Sequence, residues 1–301
     1  MRPTLVAIVG PTAVGKTETG VQLAEHFGSE IISADSRQMF GELKVGTALP
    51  STGQLNRVKH YFIGNLSLND YYNVSMFEQD VLTLLKELFP KKPVVFMVGG
   101  STLYIDSVFH GIDDLPTVDQ DLRQELQKQY HQQGIEFLRM KLKMLDPEYY
   151  QRVDLKNPNR LLKAIEISLM TGKPYSSLLT ATSRERDFRI IKIGLNKERE
   201  ELFSQINLRV DQMFEQGLVE EAQSLYSYRN LNSLNTVGYK EIFQHFDGNI
   251  SLEEAKELIK RNTRNYAKRQ LTWFKRYKDM VWFSPSQTGE ITEFLKAILH
   301  E

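Results

Sequence analysis

Three stretches of the chain are almost continuously apolar: LVAIVG at 5–10, EIISAD at 30–35 and PVVFMVGG at 93–100. Unbroken runs, as opposed to alternating ones, fit strands buried on both faces, as in a parallel sheet covered by helices. The intervals between them carry a helical period instead. Val21, Leu23, Ala24 and Phe27 follow the first run, and Phe77, Val81, Leu84, Leu85 and Leu88 precede the third. Strands alternating with helices predict an α/β fold with a parallel core sheet. RIIKIGL at 189–195 predicts a fourth strand and MVWFS at 280–284 a fifth.

From residue 115 to 187 no run of this kind occurs, and the segment is too long for a simple loop. It predicts a helical insertion, flanked by core segments 1–114 and 188–301. TVDQDLRQELQKQYHQQ is a polar helix with Thr117 or Asp119 as N-cap. NPNRLLKAIEISLMTGKP is a second helix: Asn157 caps it, Pro158 takes its first position, and Gly172 and Pro174 stop it. Leu161, Leu162, Ile165 and Leu169 fall on one face. Beyond the fourth strand, two further helices are expected over about 197–228 and 251–277.

Composition narrows the possibilities. An apolar content of 41% and a charged content of 25% are those of a globular protein, and no stretch is long enough to span a membrane. The opening MRPTLVAIVG runs into Gly-Pro, which suits a core strand better than a signal peptide. The absence of cysteine excludes disulfides, zinc-thiolate sites and cysteine nucleophiles, and suits a reducing cytoplasm. A formal net charge of zero argues against crude adsorption to nucleic acid, though not against a local basic patch.

GPTAVGKT at 10–17 matches G-x-x-x-x-G-K-[ST] and lies where that motif belongs, after an apolar strand and before a helix. In such a loop the backbone amides and helix N-terminus surround phosphate oxygens, Lys16 adds a point charge, and the Thr17 hydroxyl can ligate magnesium. A kinase or nucleotide hydrolase of this class would add a carboxylate at the end of another core strand. The third run ends instead in VGGSTLY, which leaves Asp35 as the only strand-terminal carboxylate. Parallel sheets bind ligands at the carboxyl ends of their strands, so Asp35 belongs in the crevice of the phosphate loop, unless it serves only an Asx-turn. Arg209 lies on the side of the Ile206, Val210, Met213 and Phe214 stripe, so it either snorkels from the core edge or enters the crevice. Lys260, Arg261, Arg264, Lys268, Arg269, Lys275, Arg276 and Lys278 follow one another with Tyr266, Trp273, Phe274 and Tyr277 interleaved and no acid between. This stretch suits either macrodipole matching or an RNA backbone track.

GPTAVGKT, IISADSRQMF followed by VGTALP, VGGSTLY, NPNRLLKAIEI with TGKP, RVDQMFEQGLVEEA, TVGYKEI and AKRQLTWFKR together resemble the bacterial tRNA dimethylallyltransferase family, in order and over nearly the whole chain. The resemblance implies a P-loop NTPase-like core. It also implies transfer of a dimethylallyl group from its diphosphate to the exocyclic N6 amine of the adenosine 3′-adjacent to the tRNA anticodon (position 37). On it, Asp35 is the general base. Gly10, Pro11, Thr12, Ala13, Val14, Gly15, Lys16, Thr17 and Arg209 hold dimethylallyl diphosphate, and Mg2+ bridges Thr17 and the diphosphate. Asp35, Ser36, Arg37, Gln38, Ser101, Arg123, Asn159, Arg160, Leu161, Leu162, Lys163, Gly238, Tyr239 and Lys240 match positions that contact the anticodon stem-loop. The chain departs from the family at Ser101, usually threonine, at Leu49, usually lysine, and at Val14, usually small and polar. A cytoplasmic monomer is expected, with no membrane partner. Two rival readings share the fold: isopentenyl transfer to free adenine nucleotides, and a small-molecule kinase. The basic stretch and the insertion count against the first; the second needs a carboxylate near the γ-phosphate and usually an arginine-rich lid, and ATP consumption would reveal it.

Overall fold

The structure is a computed structural model that describes residues 2–113, 115–117, 119–180 and 184–299. The chain divides into two compact units, Met1–Phe109 with Glu185–Glu301, and His110–Arg184. The insertion boundary expected at 114 falls outside the described residues.

In the first unit the strands are β1 (Thr4–Val9), β2 (Ile31–Ala34), β3 (His60–Tyr61), β4 (Val94–Gly99), β5 (Arg189–Leu195) and β6 (Val281–Phe283). They form one parallel sheet in the order β3-β2-β4-β1-β5-β6. β1 is central, its Thr4 opposite both Val94 and Arg189. All five expected strands are present, each within two residues of its expected ends. β3 was not expected: two half-buried residues at an edge leave no apolar run to read.

The helices of this unit are α1 (Lys16–His26), α2 (Thr52–Arg57), α3 (Val74–Leu88) and α4 (Thr102–His110). The period of two along the strands splits each apolar run between two cores. Val6, Ile8, Phe96, Val98 and Ile193 pack with Val21 and Ala24 of α1. Leu5, Ala7, Val9, Val95 and Met97 pack with Phe77, Val81 and Leu85 of α3 and with Ile105 and Val108 of α4.

The second unit is helical: α5 (Gln120–Gln133), α6 (Ile135–Leu145), α7 (Pro147–Arg152), α8 (Pro158–Thr171) and α9 (Tyr175–Leu178). Asp119 caps α5 through the amides of Asp121 and Leu122, and Asn157 caps α8 through that of Arg160. Gly172 ends α8 in the left-handed region. Leu161 and Ile165 of α8 meet Leu138 and Leu142 of α6 in this unit's core. Leu169 was expected on the same face, but it is 39% exposed.

The first unit resumes with α10 (Arg199–Glu215), α11 (Leu218–Leu225), α12 (Tyr239–Phe246), α13 (Leu252–Phe274) and α14 (Thr288–Leu299). The single helix expected over 197–228 is broken at Gly217, whose φ of 93° is left-handed. The reversal folds α11 onto α12, with Val210, Leu218, Tyr239, Ile242 and Ile259 in a third core. In the resulting frame α10 and α13 stand beside the carboxyl ends of β1, β2 and β4.

Candidate active site

β1 delivers the chain into Gly10, whose φ is 153° and where a Cβ would collide with the Leu195 carbonyl of the neighbouring strand. Ala13 is also held at a positive φ, 62°, a conformation that costs a non-glycine residue energy and recurs at functional sites. α1 then begins at Lys16 with Gly15 as N-cap and no side-chain cap. Its first amides therefore stay available to an anion, and the helix dipole adds partial positive charge. The Lys16 ammonium donates to the Pro11 carbonyl at 2.8 Å. Its pKa is lowered to about 7, first by burial and then by Arg209, with Asp35 acting in the opposite sense. The Val14 side chain is fully buried in the sheet core, so only its backbone faces the loop.

Asp35 follows β2. Its Oδ1 accepts from the amides of Arg37 (2.9 Å) and Gln38 (3.4 Å), which is an Asx-turn. Oδ2 has no partner among the described residues, so the carboxylate both shapes the turn and keeps an oxygen for other work. The Ser101 hydroxyl accepts from the Ser36 amide at 2.9 Å and donates to the Ser36 hydroxyl, tying the end of β4 to the turn after β2.

These parts open onto a cavity of about 560 Å3 lined by Thr12, Asp35, Ser36, Arg37, Ser101 and Arg209, among others. Gly46 and Thr47 add a loop wall, α10 adds Ile206, Val210 and Met213, and the segment before α12 adds Asn235, Thr236, Val237 and Gly238, followed by Lys240 and Glu241. α13 contributes Ile259, Asn262, Thr263, Asn265, Tyr266 and Arg269. Four cations, Arg37, Arg209, Lys240 and Arg269, face two carboxylates, Asp35 and Glu241, which favours an anionic ligand. Arg209 points into the crevice, its Nη1 3.5 Å from the Thr12 hydroxyl, and burial holds its pKa below the ordinary value against the pull of Asp35.

Several positions matched to family RNA contacts have other work here. Gln38 donates from Nε2 to the carbonyls of Thr47 (3.2 Å) and Ala48 (3.1 Å) and accepts from the Ser33 hydroxyl, so its amide is spent on the loop wall. Tyr239 is fully buried and donates to Glu221 Oε1 at 2.7 Å. Glu221 in turn accepts from the amides of Lys44, Val45 and Gly46, and Gly46 lies so close to the Tyr239 ring that a Cβ would collide with it. The Tyr239 side chain is thus a scaffold beneath that loop.

The insertion positions belong to the second unit. Asn159, Arg160 and Lys163 are exposed. Leu161, fully buried, and Leu162, nearly so, are core residues whose side chains are closed to RNA. Arg123 forms a two-pronged ion pair with Glu166, 2.8 Å from Nε and 2.7 Å from Nη2, and Glu166 is fully buried while Arg123 is 33% exposed. Removing the arginine strands a buried carboxylate, so Arg123→Ala is expected to destabilise this unit by about 3 kcal/mol. Denaturant melts of the full chain check this, and adding Glu166→Leu should recover most of the loss.

The basic stretch in and beyond α13 is largely engaged within the protein. Lys256 and Lys260 pair with Asp211, Arg264 bonds Asn207, and Arg276 stacks on Trp273 at 3.7 Å. At the C-terminus of α13 Lys275 is the C-cap and Arg276 Nε donates to the Trp273 carbonyl at 3.3 Å, so dipole matching accounts for these two bases. Arg269 and Tyr266 are the members that reach the cavity. Both belong to the stretch singled out in the sequence, whereas Asn262 and Thr236, which also line the cavity, did not stand out there as site residues.

Residues 38–277 match the model of the family described as IPP transferase. The chain is 53% identical over its full length to "tRNA dimethylallyltransferase 1" of Phocaeicola vulgatus, all of which is covered. Among solved structures, a tRNA isopentenylpyrophosphate transferase from Bacillus halodurans superposes with a TM-score of 0.73 at 37% identity, over 99% of this chain and 97% of that one. A eukaryotic dimethylallyltransferase solved acting on tRNA superposes with a TM-score of 0.75, over 94% of this chain and 74% of that one; at 23% identity it bears on the fold alone. These neighbours share the P-loop architecture of the sheet described above. No helix among the described residues is long and apolar enough to cross a membrane.

Proposed function

This chain belongs to the IPP transferase family, and we propose that it moves a dimethylallyl group from dimethylallyl diphosphate to the exocyclic N6 amine of the adenine 3′-adjacent to the anticodon of a tRNA. The observation that carries this reading is the shared cavity: the phosphate loop at Thr12, the carboxylate of Asp35 and the guanidinium of Arg209 all line it.

The chemistry follows from what each group can do. The bond from the allylic carbon to the diphosphate oxygen breaks as the bond from that carbon to N6 forms. The electron pair leaves with the diphosphate. Lys16, Arg209 and the first amides of α1 meet the negative charge that develops on it, which is where fixed donors lower a barrier most. An aspartate is far too weak a base to deprotonate an aromatic amine beforehand. Asp35 Oδ2 therefore accepts the N6 proton as the new bond forms. Water must be kept from the allylic carbon, so the adenine must leave its stack to fill the space.

A divalent cation fits the donor set. Thr17 offers a hard oxygen, and the described residues hold no cluster of three His, Cys, Asp or Glu that would form an all-protein cage. Mg2+ commonly rests on one or two protein oxygens plus phosphate and water. When bound, it would neutralise part of the diphosphate charge.

Lys16 gives the donor step a pH signature. Its pKa near 7 is that of the empty fold, and a diphosphate beside it favours the charged form. Below about pH 7 the ammonium is already present and binding takes up no proton there. Above it, binding draws a proton in, so affinity for dimethylallyl diphosphate should fall as pH rises, by up to about tenfold per unit. Calorimetry in buffers of different ionisation heat counts that proton, and Lys16→Arg should abolish the uptake.

The functional reading is tested by transfer of label from dimethylallyl diphosphate to unmodified tRNA, run beside AMP. Label in tRNA supports it. Label in AMP alone would move the chain to free-nucleotide prenylation, and ATP consumption without label would mark a kinase.

A further inference from the structure

We infer that Gln270 is a positioning residue of the transfer reaction, fixing the separation between the phosphate loop, the Gly100–Ser101 turn and α13; the inference rests on the function proposed above. Gln270 is 2% exposed on the inner side of α13. Its Oε1 accepts from the Thr12 amide at 2.9 Å, and its Nε2 donates to the Gly100 carbonyl at 2.8 Å. A Cβ at Gly100 would collide with that Nε2, so the turn is cut to admit the amide. Each end of the bridge adjoins a cavity residue, Thr12 or Ser101, and the helix it hangs from supplies Tyr266 and Arg269.

The bridge has two consequences. The Thr12 amide is turned away from the phosphate site, so the cradle is formed by the amides that follow it. Thr12 is also held where its hydroxyl meets Arg209. The β1 end, which carries the donor, is thereby keyed to the β4 end, which adjoins the acceptor. Only a side-chain amide of this length supplies one acceptor and one donor in these directions. Glutamate keeps the acceptor, loses the donor and adds charge beside the diphosphate.

A misplacement near 1 Å can slow a reaction by about 100-fold, so Gln270→Ala and Gln270→Glu are expected to lower kcat by about 10- to 100-fold. tRNA affinity should stay within about threefold, while KM for dimethylallyl diphosphate rises further in Gln270→Glu than in Gln270→Ala. Gly100→Ala displaces the amide without removing it and should give the same pattern. The double variant Gly100→Ala, Gln270→Ala should be no worse than the poorer single one, since both break one bridge. Variants with unchanged kcat and KM would overturn the inference. So would lower melting temperature and weaker tRNA binding with kcat per folded molecule intact, the mark of a structural role only. Absence of label transfer by the wild-type protein would overturn the functional reading and this inference with it, whereas wild-type transfer beside unaffected variants overturns the inference alone.

Discussion

Asp35→Asn is expected to slow transfer at saturating substrate by about 10²- to 10⁴-fold, the range lost with a general base. Asparagine separates the two tasks of this side chain. Its amide oxygen still accepts from the Arg37 and Gln38 amides, so the Asx-turn after β2 survives. What disappears is the second oxygen, which no described residue uses and which must receive the N6 proton. KM for tRNA should therefore change little while kcat collapses. Asp35→Ala removes the turn as well and should be at least as slow, with a melting temperature lower than that of Asp35→Asn. Steady-state kinetics of both variants, each with a thermal melt, check the pair. A normal kcat in Asp35→Asn would remove the base from the mechanism.

Arg209→Ala is expected to cost about 10²- to 10³-fold in kcat, the loss typical when a donor to developing charge is removed. The guanidinium is held in the cavity against burial, which lowers its pKa, with Asp35 as a compensating charge. A residue kept charged at that cost acts on a charge of its own, and its Nη1 beside the Thr12 hydroxyl of the phosphate loop places it for the diphosphate. Because leaving-group charge grows as the allylic bond breaks, kcat should fall more than KM for the diphosphate rises. Arg209→Lys should restore only part of the rate, since an ammonium does not reproduce the planar fork. Equal losses of kcat and binding would instead make Arg209 a ground-state anchor.

What could be read beforehand depended on how local the determinant was. β1, β2 and β4 were legible because a strand covered on both faces must be apolar throughout, and the phosphate loop because its glycines and lysine lie within eight residues. His60–Tyr61 forms a strand only because β2 offers it an edge. Gly217 sits in a segment that is otherwise helical in pattern, and its left-handed turn decides where α11 and α12 go. The cavity was legible in Thr12, Asp35 and Arg209 and in the wall residues the motifs carry, Ser36, Arg37, Ser101, Gly238 and Lys240, and not in Asn262 and Thr236, which reach it only through the packing of α12 and α13. Motif membership also failed to separate chemistry from support. Gln38, Tyr239 and Leu161 stand in recognisable motifs, yet each is spent on a loop or a core. Gln270 stands in the motif AKRQLTWFKR and reaches the phosphate loop, which no spacing rule indicates.

The most direct measurement is nucleoside analysis by mass spectrometry of unmodified tRNA incubated with this protein, dimethylallyl diphosphate and magnesium. The account predicts digests in which the single new nucleoside is N6-(dimethylallyl)adenosine, mapped to the residue 3′-adjacent to the anticodon and strongly reduced with Asp35→Asn. A dimethylallyl group on another atom or another nucleoside, or an undiminished product with Asp35→Asn, would contradict it.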